Sequence, residues 1–427
     1  MRADAMARML ICLLFLCSAL LGVANAVAQA GGPGLTRAQA YARAAALESI
    51  GRRLFADPSL SASGRMACAT CHDPRFAFGP PNAKDVQSGG STMLEPGLRA
   101  VPSLKYLQVV PQFTEHYFES DDEGDASVDN GPTGGLNWDG RVDRGRDQAR
   151  FPLLSRFEMA NNSPADVVAK VREAGYAEDL RKIFGDAIFD DADHAFAAVV
   201  EALEVYQQNA QEFYPYSSRY DAYLAGREQL SAQEKRGLAA FNDPAKGNCG
   251  SCHRSEPGND GTPPQFTDYG LLAIGVPRNN DIPANADPHF YDLGACGPLR
   301  SDLSGRGEYC GLFRTPSLRN VALRQTFFHN GIVHSLREAI AFYVQRDTDP
   351  GKWYPRDASG RVRKYDDLPA RYHHNINDDP PFGSRPGNQP ALTSSEIDDI
   401  VAFLNTLTDG YARNAEGSSA VSQTRKP

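Results

Sequence analysis

The second half of this chain contains no methionine: the six lie at positions 1, 6, 9, 66, 93 and 159 of 427 residues. Tryptophan is scarcer still, with Trp138 and Trp353 the two copies. No basic run occurs, and 44 Lys and Arg against 53 Asp and Glu leave a formal charge of −9, so a nucleic-acid partner is not expected. Past residue 24 there is no long apolar run, which argues against membrane insertion of the mature chain. Alternating strand patterns are few and the loops are long and rich in Gly, Pro and Asn. The expected fold is mainly α with much irregular structure.

What is present begins with an export signal. Arg2 and Arg8 precede the apolar stretch MLICLLFLCSALLGVA (9–24), and Ala24-Asn25-Ala26 or Ala28-Gln29-Ala30 offers a cleavage site, so residues 1–30 read as a signal peptide and the periplasm as the destination. Neither Cys12 nor Cys17 follows the small residue that a lipoprotein signal requires. Four of the six remaining cysteines sit in CATCH (Cys68, Cys71, His72) and CGSCH (Cys249, Cys252, His253). In C-x-x-C-H the two thiols reach one porphyrin edge while the adjacent imidazole becomes the proximal iron ligand. A single copy is also compatible with a redox dithiol or half a zinc site. Two copies behind an export signal point to two covalently bound haem c groups. Cys296 and Cys310, fourteen residues apart, are expected to form a disulfide in an oxidising compartment; two buried free thiols are the alternative.

A weak repeat surrounds the two motifs. GRRLFADP (51–58) precedes the first and GLAAFNDP (237–244) the second, aligning Phe55 with Phe241 and Asp57 with Asp243. Two cytochrome c-like haem domains follow, at 37–225 and 226–412, with a disordered tail at 413–427. LSAQEKRGLAAF (230–241) reads as the second domain's opening helix. LTSSEIDDIVAFLNTLTDG (392–410) reads as its closing helix, capped by Thr393 and Glu396 and stopped at Gly410. SLREAIAFYVQRD (335–347) starts another with Ser335 and Glu338, and Leu336, Ala339, Ile340 and Tyr343 recur on one stripe.

Each iron needs a second axial ligand or an open site. With no methionine past residue 159, a methionine ligand from the second domain is excluded, while His289, His329, His334, His373 and His374 stay available there. In the first domain His116 and His194 are the histidines after His72, and an open, five-coordinate iron is favoured.

Taken in order, GRRLFADPSLSASGRMACATCHDP, LNWDGR, QARFPLLSRFEM, CGSCH, RTPSLRNVAL and FFHNG resemble the dihaem cytochrome c peroxidase family over residues 45–410. The tail KWYPRDASGRVRKYDDLP (352–369) and the tyrosine in AFYVQRD resemble the MauG branch, including the similar MbnH. The resemblance implies that Tyr343 ligates the second iron where ordinary members use methionine. It also implies that Gln148, Pro152 and Glu158 line the peroxide site of the first haem, with Glu158 moving a proton between the peroxide oxygens. Trp138 matches the tryptophan between the haems and would relay charge. Trp353 is read as packing of the tail. Two departures stand out. The tryptophan through which MauG oxidises its protein substrate is Gly247 here. The family's calcium site would retain only the carbonyls of Arg324 and Thr326, its asparagine being Ala100, so calcium is doubtful. The acidic insert ESDDEGDASVDN (119–130) reads as a solvated loop.

The expected activity is that of a periplasmic enzyme using hydrogen peroxide. It would reach a high-valent state shared by two haems and oxidise Trp or Tyr side chains of an exported partner protein at long range. The alternatives are a peroxidase fed by a small periplasmic electron donor, and a non-catalytic dihaem electron carrier.

Overall fold

The computed structural model describes residues 34–119 and 127–411; the expected signal (1–30), part of the acidic insert and the tail (413–427) lie outside them. The fold is mainly helical. In chain order the helices are α1 (Arg37–Ala56), α2 (Cys68–Cys71), α3 (Gly145–Leu154), α4 (Pro164–Glu173), α5 (Ala177–Phe184), α6 (Ala192–Gln207), α7 (Ala210–Phe213), α8 (Arg219–Leu224), α9 (Ala232–Asn242), α10 (Leu336–Gln345), α11 (Pro350–Trp353) and α12 (Ser394–Asn405). Strands are short: β1 (Ser88–Gly89) pairs antiparallel with β2 (Glu95–Pro96), and β3 (Leu271–Leu272) with β4 (Phe313–Arg314). The residues up to Ala46 form a unit of their own, the largely exposed first half of α1, in which Arg37 bonds Tyr41. All that follows concerns the unit from Leu47 onward.

Local sequence sets the helix ends. Ser231 caps α9 by accepting the Glu234 N–H, and Glu234 returns the bond to the Ser231 N–H; Thr393 and Glu396 do the same for α12. At α10 Ser335 accepts from the Glu338 N–H at 3.1 Å. The expected stop at Gly410 is corrected: α12 ends at Asn405. The Thr406 hydroxyl bonds back to the Phe403 carbonyl at 2.6 Å and offers the last turn an alternative to continued helix.

The repeat seen in the sequence has a packing cause. A Cβ added at Gly51 of α1 would lie 1.9 Å from the Ala202 carbonyl oxygen of α6; one added at Gly237 of α9 would lie 2.0 Å from that of Asp399 in α12. Only glycine permits either crossing. Four residues on, Phe55 meets Phe78 edge-on at 5.9 Å, and Phe241 meets Phe266 at 6.4 Å. These aromatics anchor two buried clusters. One includes Leu54, Leu153, Val199 and Phe213; the other includes Ile340, Ile400, Phe403 and Leu404. Each such side chain contributes about 1.5–3 kcal/mol by leaving water. A smaller cluster holds Leu271, Tyr309 and the Cys296–Cys310 disulfide, whose Cα atoms are 4.9 Å apart.

In an open helix, Gly to Ala stabilises by about 1 kcal/mol. Gly237→Ala is expected to reverse that sign, because overpacking costs about 1–3 kcal/mol. The check is a lowered urea midpoint with an unchanged slope.

Candidate active site

The two C-x-x-C-H segments form one tight turn each, α2 for the first and a 3-10 turn (Cys249–Ser251) for the second. Each histidine is then fixed in the same way. His72 Nδ1 lies 2.8 Å from the Phe78 carbonyl oxygen, and His253 Nδ1 lies 2.8 Å from that of Phe266. Both phenylalanines hold left-handed backbone, φ 54° and 55°, which turns their carbonyls toward the rings. A carbonyl can only accept, so Nδ1 carries the proton and Nε2 keeps its lone pair, the form an imidazole needs to bind a metal. Burial pushes His72 down to about 4, against hydrogen bonds to the Phe78 and Pro102 carbonyls; burial likewise lowers His253. The four thiols are unpaired, and burial pushes those of Cys68, Cys71 and Cys249 up to about 12 and that of Cys252 up to about 11. They are protonated thiols, unlike the acidic thiolate of a redox dithiol.

Two cavities open beside these turns. The first, about 1030 Å³, is lined by Cys68, Cys71, His72, Gln148, Pro152 and Glu158. The second, about 670 Å³, is lined by Cys249, Cys252, His253, His329, Arg324 and Tyr343. Trp138 and Arg314 line both. Volumes of this order suit a large cofactor, and each wall carries two thiols beside one imidazole whose metal-binding nitrogen is free. The residues present therefore fit a haem in each cavity.

In the first cavity α3 supplies Gln148 and Pro152. Pro152 has no N–H to give the Gln148 carbonyl, so α3 loses a bond in its interior. The Gln148 amide donates to Asn137 Oδ1 at 3.3 Å. The turn after α3 carries Glu158, whose own N–H bonds the Ser155 carbonyl at 3.0 Å, while its carbonyl accepts from Gly90 at 2.8 Å. The Glu158 side chain has accessible surface on the cavity wall but protein behind it. Desolvation raises its pKa, opposed by a Ser155 hydrogen bond and by Arg141. His72 is the one histidine in this wall among the described residues, with Met66 and Met159 packed in the core beneath. His116 is exposed and pairs with Asp129, and His194 is exposed at the start of α6.

In the second cavity Tyr343 comes from α10. Its neighbours Ala341, Phe342 and Val344 are buried, and Tyr343, half-buried like Leu336, is the α10 residue that brings a polar atom to the cavity wall. Its ring stacks on Phe382 at 5.5 Å. Burial raises the phenol's pKa, and the Cys252 and Cys249 thiols add to the rise. His329 also reaches this wall, stacked on Phe313 at 3.6 Å, with Nε2 buried without a hydrogen bond and 3.9 Å from Asp367 Oδ2. Of the other histidines, His334 pairs with Asp85 and His373 bonds the Leu368 carbonyl. Trp353 packs edge-on against Phe342 at 5.3 Å.

Comparison with known proteins bears on this pair of cavities. The family model described as di-haem cytochrome c peroxidase matches residues 45–229. The methylamine utilization protein MauG of Paracoccus denitrificans is 32% identical over 371 residues, 85% of this chain and 89% of that one. The chain belongs to the di-haem cytochrome c peroxidase and MauG family. It is thus a haem oxidoreductase acting with peroxide, and the family implies two haem cofactors. The diheme peroxidase BthA of Burkholderia thailandensis superposes with a TM-score of 0.74 at 40% identity, covering 85% of this chain and 86% of that one. The cytochrome c551 peroxidase of Pseudomonas aeruginosa is 29% identical over 68% of this chain and 70% of that one.

Several residues around Trp138, which the family resemblance singles out, gave no signal in the sequence. Trp138 is held between the cavities by its indole N–H, 2.8 Å from the Ala100 carbonyl oxygen, and by its own carbonyl, which accepts the Arg314 N–H at 2.7 Å. The next residue, Asp139, is fully buried and takes Arg99 at 2.7 Å and Arg141 at 2.8 Å; Arg99 also grips Asp292 at 2.6 Å. These partners are 40 and 193 residues apart from Arg99, so no local pattern announces them. The network pins Trp138 from one side as Ala100 pins it from the other.

Removing one partner of a buried ion network costs about 3–5 kcal/mol, because the remaining charges lose their compensation. Asp139→Asn is expected to lower holoprotein stability by that order, read as a lower denaturant midpoint. Lys105→Gln, at a different ion pair with Asp409, serves as a milder comparison.

Proposed function

We propose that the chain is a periplasmic peroxidase in which each cavity holds one haem c, bound through Cys68, Cys71 and His72 in a domain ending near residue 225 and through Cys249, Cys252 and His253 in the next. Tyr343 binds the second iron, and the two oxidising equivalents of one hydrogen peroxide are shared across Trp138. The observation that carries this reading is Tyr343 on the wall of the second cavity, in a half of the chain with no methionine. When bound, the haems supply the redox reaction with peroxide and hold the resulting equivalents.

The chain's own residues supply the rest. Pro152 cannot ligate a metal, and by filling space on the first cavity wall it leaves room for peroxide. Glu158 accepts the proton of the near peroxide oxygen and returns it to the far one, which makes the departing oxygen a water. Gln148 offers its amide to the bound oxygen. On the other side a phenolate is a hard anionic donor that stabilises ferric and higher states, whereas a thioether raises the potential. Burial opposes phenolate formation at Tyr343, so the ligand role requires the positive charge of ferric iron to overcome that cost. Besides Tyr269, whose hydroxyl also lacks a hydrogen-bond partner, this wall carries His329. It is felt by Asp292 and Arg99, while Tyr343 is felt by the two haem-binding thiols, which supports Tyr343 as the ligand.

The equivalents are discharged by a small redox donor. Two observations support this over oxidation of an exported partner protein. The likeness to a diheme peroxidase is 40% identical over most of both chains. In addition, a Cβ at Gly247 would lie 2.8 Å from the Ala240 carbonyl oxygen and 3.1 Å from Cys249 Sγ, so no aromatic exit residue fits there. The second reading, oxidation of Trp or Tyr on a partner protein, is favoured by the 32% identity to MauG.

The test adds peroxide to the diferric holoprotein without a donor, then supplies either a reduced small cytochrome or exported proteins of the same cell. A long-lived product with both haem spectra altered, discharged by the cytochrome, is expected; no reaction before prior reduction overturns the sharing. Tyr343→Met is expected to raise the second haem's potential and to abolish the two-haem spectral change. Glu158→Gln is expected to slow the peroxide reaction by about 10²–10⁴-fold. The sign of the pH effect follows from the raised pKa of Glu158. The carboxylate is the proton acceptor, so the wild-type rate falls as pH drops through a value above the usual carboxylate range, and that acid limb is absent in Glu158→Gln.

A further inference from the structure

Arg324 lies between the two cavities and is paired with no carboxylate among the described residues. Its guanidinium donates through Nε to the Thr326 carbonyl oxygen at 3.2 Å and through both terminal nitrogens to the Val101 carbonyl oxygen at 3.3 Å. Arg324 itself lines the second cavity, Val101 lines the first, and the charge of Arg324 is felt at His72. Burial lowers its pKa to about 10, which still leaves it charged at neutral pH.

The site is therefore already occupied by a cation. Calcium needs six to eight oxygens, normally with carboxylates among them. Here the guanidinium takes the Thr326 carbonyl, together with that of Val101, which leaves the Arg324 carbonyl alone of the expected pair; Ala100 brings no side-chain oxygen, and no cluster of three acidic, His or Cys ligands exists among the described residues. The one feature that favours another occupant is Thr326 Oγ1, buried without a partner. A single neutral hydroxyl beside a fixed positive charge suits a water, not a divalent ion. The residues do not fit calcium.

We propose that the Arg324 guanidinium is the resident cation between the two haem cavities, standing where the family resemblance places calcium, and that this enzyme works without a divalent ion. The inference rests on both cavities holding haem, but not on where the oxidising equivalents go. Arg324 is a positioning residue: it ties the loop of Val101 to that of Thr326, and the adjacent carbonyl, Ala100, holds the Trp138 indole. A fixed positive charge at this place also favours the ferrous over the ferric state of nearby haem, by simple Coulomb attraction for the added electron.

The first measurement is elemental analysis of the wild-type holoenzyme, before and after dialysis against a chelator, with redox titration of both haems. Substoichiometric calcium and unchanged potentials, spectra and peroxide reactivity after chelation are expected. Stoichiometric calcium, or potentials that move on chelation and return with calcium, would overturn the proposal. The second measurement compares Arg324→Met with Arg324→Lys. The methionine variant is expected to show lower potentials and a peroxide-induced change at the second haem slowed by about tenfold, with lysine restoring most of both. A methionine variant that is less stable but unchanged in potential would show that Arg324 only packs, and the cation role would fail. Neither readout depends on the choice between peroxide reduction and partner-protein oxidation.

Discussion

The hydrogen bond from each histidine Nδ1 to a phenylalanine carbonyl is the constraint on which the rest of the molecule depends. It fixes the tautomer, aims Nε2 into a cavity, and does so twice with the same 2.8 Å geometry. The carbonyls are in place because Phe78 and Phe266 adopt left-handed backbone, a conformation that costs a non-glycine residue and that each ring offsets by burial against Phe55 or Phe241. Those aromatics in turn sit four residues beyond Gly51 and Gly237, where two helices cross too closely for any side chain. Glycine, crossing, aromatic, carbonyl and imidazole thus form one chain of cause, written once in each half.

Between the halves the logic is different. The two copies diverge in what faces the cavity: an unmatched carboxyl in the first, a phenol in the second. The material joining them is ionic. Asp139, Arg99 and Asp292 set one side of Trp138 and the loop of Ala100 and Val101 sets the other, so an oxidisable indole is held rigidly where both cavities meet. Burying these charges is expensive, and their mutual pairing offsets the cost only in this arrangement.

What could be read from the sequence follows from the range of each interaction. The two C-x-x-C-H motifs, the Thr393 capping box and the glycine–phenylalanine repeat are encoded within a few residues, and all three were legible. Gly410 was misread as a helix stop because glycine is the usual signal, whereas the Thr406 hydroxyl ends the helix four residues earlier. Glu158, Gln148 and Trp138 were visible only through the family resemblance, since an acid, an amide and an aromatic have no pattern of their own. Arg314 and the side chain of Arg324 escaped notice altogether, and His329 was named as one of five available histidines with nothing to single it out. Their roles depend on partners from distant segments, and such pairings leave no periodicity. Arg324 was weighed for its carbonyl, while it is its guanidinium that bonds the Thr326 and Val101 carbonyls.

The raised pKa of the four thiols has a consequence for the order of assembly. Thioether formation needs a reactive sulfur, and in the folded chain Cys68, Cys71, Cys249 and Cys252 line the cavity walls with their thiols held well above the ordinary range by burial. If haem joins at these positions, as proposed, the sulfurs are more reactive before the chain folds than after it. Attachment ahead of folding would then make each haem part of the core around which its half of the chain closes.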